Sequence, residues 1–359
     1  MAPDGLGPAA DADVERSAVL ASAQRLVTVL GGLRVRREDA LAVVNGAFGD
    51  ALADRGSPLA IPMTLRSDTQ VLTLERDALA RALPAATSRI ALLVHGLMST
   101  ESVWGFPGDP ATTYGSGLAR DHGVTPVWLR YNTGRHISTN GRELAGLLHR
   151  LAAAWPVPAR EITLIGHSMG GLVIRSACHY ASATRTRRGL GFFRRSWTSK
   201  VRRVVLIGVP NTGAPLAEFV TLTSAALWAL PIPATRQVGR GLDARSAGIK
   251  DLRFGAITDE DWQEQGSDAR VRPVSHSVVP LRRAAYLIVA GSVTTDPDHP
   301  LARMVGDSLV TPSSASGMLD PVTGEGLFPG CTVRMFPKVT HLALANRPEV
   351  YQAIHEWWP

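Results

Sequence analysis

A serine stands between glycines where a predicted strand meets a predicted helix. The segment from Glu161 to Ala177 reads EITLIGHSMGGLVIRSA, and GHSMG from Gly166 to Gly170 fits the pattern G-x-S-x-G. Such a corner presents the serine hydroxyl on a strained turn, and its glycines let strand and helix pass closely. A serine that only capped the helix would not need a glycine on each side. Ser168 is therefore the predicted nucleophile.

Several stretches around this serine resemble the α/β-hydrolase superfamily, in particular its lipase-like and GPI-inositol-deacylase-like members. The resemblance implies the α/β-hydrolase fold and a serine hydrolase. Asn211 departs from the family pattern, because a histidine is usual after the proline that follows the sixth strand, and Ser308 stands where glycine is frequent. The matching stretches span Leu92 to Val350 and read LLVHGLMST, LIGHSMGGLVIRSA, LIGVPNTGAPLAEF, MVGDSLVTP and VTHLALANRPEV.

A serine hydroxyl is a weak nucleophile, so it needs a base, and the base needs an orienting acid. In the α/β-hydrolase fold these residues follow the chain order Ser, then Asp or Glu, then His. His341 lies between the last strand-like run and the final predicted helix, which makes it the predicted base. His355, within that helix, is the one serious rival.

Three aspartates fit the position of the acid. Asp307 lies in the stretch MVGDSLVTP, which matches the lipase-like pattern, and we rank it first. Asp296 and Asp298 lie closer to the end of the preceding strand. Their context, TTDPDHP, is equally typical of a turn, so both remain alternatives.

The anionic intermediate of such a reaction needs two backbone N–H donors. In this fold one donor follows the nucleophile, here Met169, and the other lies in the loop after the first parallel strand. His95-Gly96-Leu97 occupies that loop, so Leu97 is the predicted second donor. His95 is predicted to be structural.

These residues need a sheet to position them, and the chain contains the strands for one. Six apolar runs without polar alternation indicate a mostly parallel sheet with helices on both faces. Two earlier runs, Leu59–Leu65 and Gln70–Glu75, predict an antiparallel hairpin at a sheet edge, for a total of about eight strands. The six runs are Arg89–Val94, Thr125–Tyr131, Glu161–Ile165, Arg202–Val209, Ala284–Ala290 and Cys331–Phe336.

Helical patterns divide the chain into two parts. Residues 1–57 form a predicted N-terminal helical extension, in which we identify no catalytic motif and whose role stays open, and residues 58–359 form the predicted hydrolase domain. Residues 211–280 interrupt the strand-helix rhythm and are predicted to be a cap or lid insertion; within them Phe219–Ile232 is either a lid helix or an ordinary buried helix. The other predicted helices are Val14–Leu30, Glu38–Ala53, Asn140–Ala154, Gly170–Tyr180 and Pro348–Trp358.

The net charge of +7 is concentrated in one segment. Eight basic residues and no acid lie between Arg185 and Arg203; they exceed the net charge by one, so the rest of the chain carries −1. With Phe192, Phe193 and Trp197 among them, the segment suits peripheral contact with an anionic membrane. A solvated loop is the competing interpretation. We find no groove or stacking platform for nucleic acid.

Cysteine usage and hydropathy bear on the compartment. The chain has two cysteines, Cys178 and Cys331, without the spacing of a metal site, and both are predicted to be buried thiols in a reducing compartment. The N-terminus lacks the pattern of a signal peptide. The longest apolar run, Val220–Pro233, is shorter than the roughly 20 residues that span a bilayer. We expect a cytoplasmic protein, with peripheral membrane attachment as the alternative, and no cofactor or metal.

The resulting hypothesis is a lipase- or carboxylesterase-like serine hydrolase that acts on a small-molecule or lipid ester. Two alternatives remain open. The same three residues would serve an acyltransferase that passes the acyl group to an alcohol. A lipid- or membrane-binding protein with a vestigial site is the other.

Overall fold

A seven-stranded sheet forms the centre of the computed structural model, which describes residues 36–68, 70–187, 197–214, 246–263, 278–294, 307, 310–320, 323 and 325–358. The strands are β1 (Thr64–Arg66), β2 (Arg89–Val94), β3 (Thr125–Arg130), β4 (Glu161–His167), β5 (Val201–Ile207), β6 (Ala285–Ser292) and β7 (Thr332–Pro337). Their order across the sheet is β1-β3-β2-β4-β5-β6-β7. All neighbours are parallel except the antiparallel edge pair β1-β3.

The six predicted apolar runs are all strands of this sheet, with ends shifted by no more than two residues. The predicted edge hairpin is only partly correct. Thr64–Arg66 is an antiparallel edge strand, but its sheet partner is β3, and Val71 adds a single bridge to Arg66. Ser67 Oγ accepts a hydrogen bond from Gln70 N and closes the turn between them. The sheet therefore has seven strands rather than about eight.

Helices cover both faces of the sheet. They are α1 (Arg37–Asp54), α2 (Arg76–Ala82), α3 (Tyr114–His122), α4 (Ile137–Ala154), α5 (Met169–Arg187), α6 (Ala247–Phe254), α7 (Asp259–Gln263), α8 (Pro312–Ser316) and α9 (Pro348–Trp357). Short 3-10 turns run over Glu101–Trp104, Trp197–Lys200 and Leu342–Ala345. Two small antiparallel pairs join Gly105–Phe106 to Asp109–Thr113 and Met318–Asp320 to Glu325–Gly326.

Side chains of the buried strands alternate between two apolar cores. In β2, Leu92 faces the core that α4 and α5 cover, and Leu93 faces the core that α3 and α9 cover. Leu144, Leu148 and Leu151 recur at helical spacing along α4, so one stripe of that helix is buried. Burial on both faces explains why the strands are continuous apolar runs.

Of the segments predicted in the N-terminal extension and the insertion, one helix is observed, and the others lie wholly or partly outside the described residues. The extension helix expected at Glu38–Ala53 is α1. The helix expected at Val14–Leu30 and the stretch Phe219–Ile232 lie outside the described residues. The division at residue 57 and the insertion 211–280 stay predictions, since only residues 211–214, 246–263 and 278–280 of that insertion are described.

The basic segment is described only at its two ends, because residues 188–196, with Phe192 and Phe193, lie outside the described part. Trp197 is buried in the core, so it does not belong to an exposed aromatic surface. Arg203 is also buried, paired with Glu161 and stacked over the ring of Trp358. The predicted membrane contact stays a prediction, without Trp197.

The described helices and the two cysteines bear on membrane spanning and on thiol chemistry. Of the helices that the structure describes, none is both long enough and apolar enough for a membrane span. Cys178 is a buried free thiol, as predicted, and burial raises its pKa to about 12. Cys331 is also a free thiol but is only half-buried, because it lies directly before the edge strand β7, so the prediction of a buried thiol was wrong there.

Close packing between α4 and α5 gives a stability prediction. A Cβ atom at Gly141 would lie 2.1 Å from Ser176 Oγ, whereas one at Gly146, on the same helix, would meet nothing within 4 Å. Gly141→Ala is therefore expected to lower the free energy of unfolding by about 1–3 kcal/mol through overpacking. Gly146→Ala should raise it by up to about 1 kcal/mol through helix propensity. Urea denaturation of both variants measures the difference, and equal shifts would contradict the packing.

Candidate active site

Ser168 occupies the corner between β4 and α5 in a left-handed backbone conformation, with φ of 53°. Its N–H donates to Ile207 O at 2.9 Å. The neighbouring glycines make room for this corner: a Cβ at Gly170 would lie 2.2 Å from Val94 O, and one at Gly166 would lie 2.6 Å from Gly171 Cα. A non-glycine residue at positive φ is unusual and persists only where its surroundings hold it. The sequence predicted this corner from its glycines.

Asp307 and His341 form a buried pair beyond the ends of β6 and β7. Asp307 Oδ2 and His341 Nδ1 are 2.9 Å apart, and the two side chains are 1% and 2% exposed. Two further bonds fix the pair, because Asp307 Oδ1 accepts from Val310 N at 2.8 Å and Asp307 O accepts from His341 N at 3.0 Å. A carboxylate in this position orients an imidazole and stabilises its charged form.

The imidazole of His341 and the corner at Ser168 lie at the same edge of the sheet. Gly208 follows β5, and a Cβ there would lie 3.2 Å from His341 Nδ1 and Cε1. Ile207, the residue before it, accepts the N–H of Ser168. Within the described residues, His341 Nε2 is buried and has no hydrogen-bond partner. It is thus available to accept a proton.

The alternative site residues have other surroundings or lie outside the described part. His355 Nδ1 lies 3.0 Å from His122 Nε2, and its carboxylate neighbour is Asp121 at 4.0 Å. Asp296 and Asp298 lie outside the described residues.

The two predicted N–H donors flank the corner. Met169 is the first residue of α5, and Leu97 lies in the loop after β2; both are buried. A Cβ at Gly96, the residue before Leu97, would lie 2.9 Å from Ser168 Cβ, so the loop passes directly against the serine. These contacts bring the loop, the serine and the start of α5 together.

His95 is structural in this arrangement. Its Nδ1 lies 2.9 Å from Gly96 O, and its ring stacks on Tyr131 with centroids 4.7 Å apart. Burial lowers the pKa of His95 to about 4, so the ring is neutral near pH 7. The neutral ring donates a hydrogen bond from Nδ1 to the carbonyl of the next residue, and this bond stiffens the loop.

His167 has a positioning role that the sequence did not indicate. Because a carbonyl only accepts, His167 Nε2 carries the proton that bonds His341 O at 3.0 Å. The two rings lie 4.9 Å apart, and burial lowers the pKa of His167 to about 3. The residue before the predicted nucleophile thus ties β4 to the loop of the predicted base. Nothing in its position along the chain signals that distant carbonyl.

Asn211, the departure from the family pattern, is a buried link between α5 and α8. Its Nδ2 donates to Ala315 O at 2.8 Å, and its Oδ1 and O accept from Arg175 Nη1 at 3.2 and 3.3 Å. The amide supplies both a donor and an acceptor. It therefore joins α5, the helix that follows Ser168, to α8, the helix that follows Asp307.

The described part of the insertion is anchored to the loop after β3. Asp251 accepts from Ile137 N at 2.8 Å and lies 3.1 Å from His136 Nδ1. The ring of His136 stacks on Trp262 at 3.9 Å. Burial raises the pKa of Asp251, while His136 opposes that shift. The loop from Tyr131 to His136, which the sequence left without a role, thus holds α6 and α7.

Comparison with known proteins agrees with this architecture. Residues 91–353 match the alpha/beta hydrolase family, so the chain belongs to that family and the predicted fold is confirmed. The search of curated proteins found no match.

Solved structures similar to this chain include three from bacteria. The mature lipase of Bacillus licheniformis is 18% identical with a TM-score of 0.45, and the similarity covers 74% of this chain and 91% of that one. A thermophilic esterase of Thermogutta terrifontis is 18% identical with a TM-score of 0.40, over 76% and 90% of the two chains. Naproxen esterase of Bacillus subtilis is 12% identical with a TM-score of 0.40, over 76% and 84%.

The low pKa of His167 predicts acid sensitivity. An unfolded histidine has a pKa of about 6.5, and the folded one about 3. As the pH falls below 6.5 the unfolded chain binds a proton that the folded chain does not, so stability is lost on acidification. From pH 7 to pH 5 this loss is about 2 kcal/mol for one such group.

His167→Gln keeps a donor for His341 O and removes the titration. Its free energy of unfolding should therefore fall less between pH 7 and pH 5 than that of the wild type. His149→Gln, at an exposed position, serves as the control and should keep the wild-type slope. Denaturant titrations at the two pH values measure both. If the free energy of unfolding fell equally between pH 7 and pH 5 in all three proteins, His167 would not be a source of the acid sensitivity.

Proposed function

We propose that this protein is a serine hydrolase of carboxylic esters, lipase- or carboxylesterase-like, with Ser168 as nucleophile, His341 as base and Asp307 as orienting acid. The observation that carries the proposal is the buried 2.9 Å contact between His341 Nδ1 and Asp307 Oδ2, beside the corner that holds Ser168 at positive φ. Membership of the alpha/beta hydrolase family supports it.

The reaction follows from these assignments. His341 Nε2 takes the proton of Ser168 Oγ while that oxygen attacks the ester carbonyl carbon. The N–H groups of Leu97 and Met169 donate to the resulting oxyanion. Collapse of the intermediate breaks the bond to the alcohol oxygen, which receives the proton from His341, and leaves an acyl-enzyme. Water, deprotonated by the same imidazole, then attacks the acyl carbon. The bond from that carbon to Ser168 Oγ breaks, His341 returns the proton to this oxygen, and the acid is released.

Burial favours this chemistry. Ser168, His341 and Asp307 are each at most 4% exposed. Charges that develop in a water-excluded site interact more strongly than in solvent. Asp307 then stabilises the imidazolium of His341 through a bond already formed before substrate arrives.

Activity and labelling test the nucleophile. The wild type is expected to hydrolyse short- and medium-chain p-nitrophenyl esters and to react with a fluorophosphonate probe. Ser168→Ala should lose both, because the attacking oxygen is absent. A wild type without ester hydrolysis and without labelling would overturn the proposal. Added alcohol with product analysis distinguishes hydrolysis from acyl transfer.

Substitution of the three candidate aspartates tests the acid. Asp307→Asn is expected to lower kcat by about four orders of magnitude, because the amide no longer stabilises the imidazolium or selects its tautomer. Asp296→Asn and Asp298→Asn are the matched variants and should keep kcat within about threefold of the wild type. A large loss in either of them, with Asp307→Asn active, would reassign the acid.

A further inference from the structure

Helix α1 lies outside the part of the chain that matches the family, yet it packs directly on the loop of the proposed oxyanion donor. The family match begins at residue 91, whereas α1 ends at Asp54. A Cβ at Gly46 would lie 2.2 Å from Met98 Cγ. Met98 follows Leu97 in the segment His95–Thr100, which we call the oxyanion loop. A methyl group at position 46 would therefore displace Met98 or the helix.

Met98 is held in a conformation that needs support. Its φ is 57°, in the left-handed region that costs a non-glycine residue roughly 1–2 kcal/mol. Gly46 contacts its side chain, and Thr133 Oγ1 accepts its N–H at 3.2 Å. Because Leu97 directly precedes Met98, the conformation held at Met98 fixes where the Leu97 backbone lies.

The end of the oxyanion loop is attached to the first turn of α1. Asp39 Oδ1 accepts from Thr100 Oγ1 at 2.8 Å and from Ser102 Oγ at 3.3 Å. Arg130 Nη2 pairs with Glu38 at 2.8 Å, and Arg130 Nε bonds Glu101 at 2.8 Å. Packing at Met98 and polar bonds at Thr100 therefore tie two points of one loop to one helix.

The same stretch of α1 also contacts two further segments. Asn132 Nδ2 donates to Gly49 O at 2.7 Å. Ser246 Oγ donates to Gly46 O at 2.6 Å, and Asp50 Oδ2 accepts from Ala247 N at 2.8 Å. The helix thus contacts the oxyanion loop, the loop after β3 and the start of α6.

We propose that α1, through the contact of Gly46 with Met98, is a positioning element that sets the Leu97 N–H for catalysis. The inference rests on the proposed ester hydrolysis and adds to it a role for a segment outside the family match. A displaced N–H weakens stabilisation of the transition state, whereas ground-state binding of the ester depends on other contacts.

Gly46→Ala tests the proposal with Gly146→Ala as the matched control. Active sites are titrated with the fluorophosphonate probe, and kcat and KM for a p-nitrophenyl ester are measured per titrated site. Loss of one oxyanion donor costs about 10²–10³ in kcat, so a displaced donor in Gly46→Ala should cost about 10-fold or more, with KM nearly unchanged. Gly146→Ala should keep the wild-type kcat. A merely structural role would lower the melting temperature and the titrated fraction but leave kcat per site unchanged.

A second substitution provides rescue. Met98→Ala removes the Cγ atom that the new methyl group would meet, so Gly46→Ala with Met98→Ala should recover most of the kcat lost in Gly46→Ala alone. If Gly46→Ala does not fold, Asp39→Ala, which releases Thr100 and Ser102, should lower kcat about threefold or more by the same reasoning. An active wild type whose α1 variants retain kcat overturns this inference alone. An inactive, unlabelled wild type overturns the proposed function instead.

Discussion

The geometry of the site depends on one close crossing, where the chain turns from β4 into α5 at Ser168. The turn holds φ of 53° at the serine, and the chain passes so near its neighbours that Gly170 has Val94 O against it and Gly171 has Val209 against it. Side chains at those glycines would separate the strand from the helix. Because β2, β4 and β5 are adjacent parallel strands, the oxyanion loop, the crossing at Ser168 and Gly208 all lie at one edge of the sheet.

Three histidines lie near that crossing, and their different surroundings give them different electrostatic properties. His95 and His167 are buried without a carboxylate partner in the described structure, and burial keeps their pKa values near 4 and 3. His341 instead bonds Asp307. An imidazole beside a carboxylate is the one suited to carry a transient positive charge. Each of the two neutral rings donates a hydrogen bond to a backbone carbonyl in or beside the site and so holds that stretch of backbone in place.

Features encoded by local pattern were predictable from the sequence, and those made by distant contacts were not. Five of the six parallel strands, β2 to β6, are mostly buried, so their continuous apolar runs located them. The edge strand β7 is much less buried, and the glycines around Ser168 identified the corner. The predicted edge hairpin was only partly correct, because a β-like composition does not reveal which strand a segment pairs with: Thr64–Arg66 pairs with β3, and Val71 adds only one bridge to Arg66. The bond from His167 to His341 O and the anchoring of α6 at His136 join residues more than 100 positions apart, which no local pattern contains.

The positions of the proposed oxyanion donors also depend on distant contacts that the sequence does not reveal, and helix α1 shows why. A backbone N–H has no residue type of its own, so the sequence names Leu97 only by its place in a loop. What fixes such a group is the shape of the surroundings, here a glycine that lets a helix approach Met98 and an aspartate that bonds Thr100. Gly46 and Asp39 look like ordinary helix residues in the sequence. Their importance arises because a preorganised site needs rigid support outside the reacting groups, and in this chain a helix beyond the family match provides it.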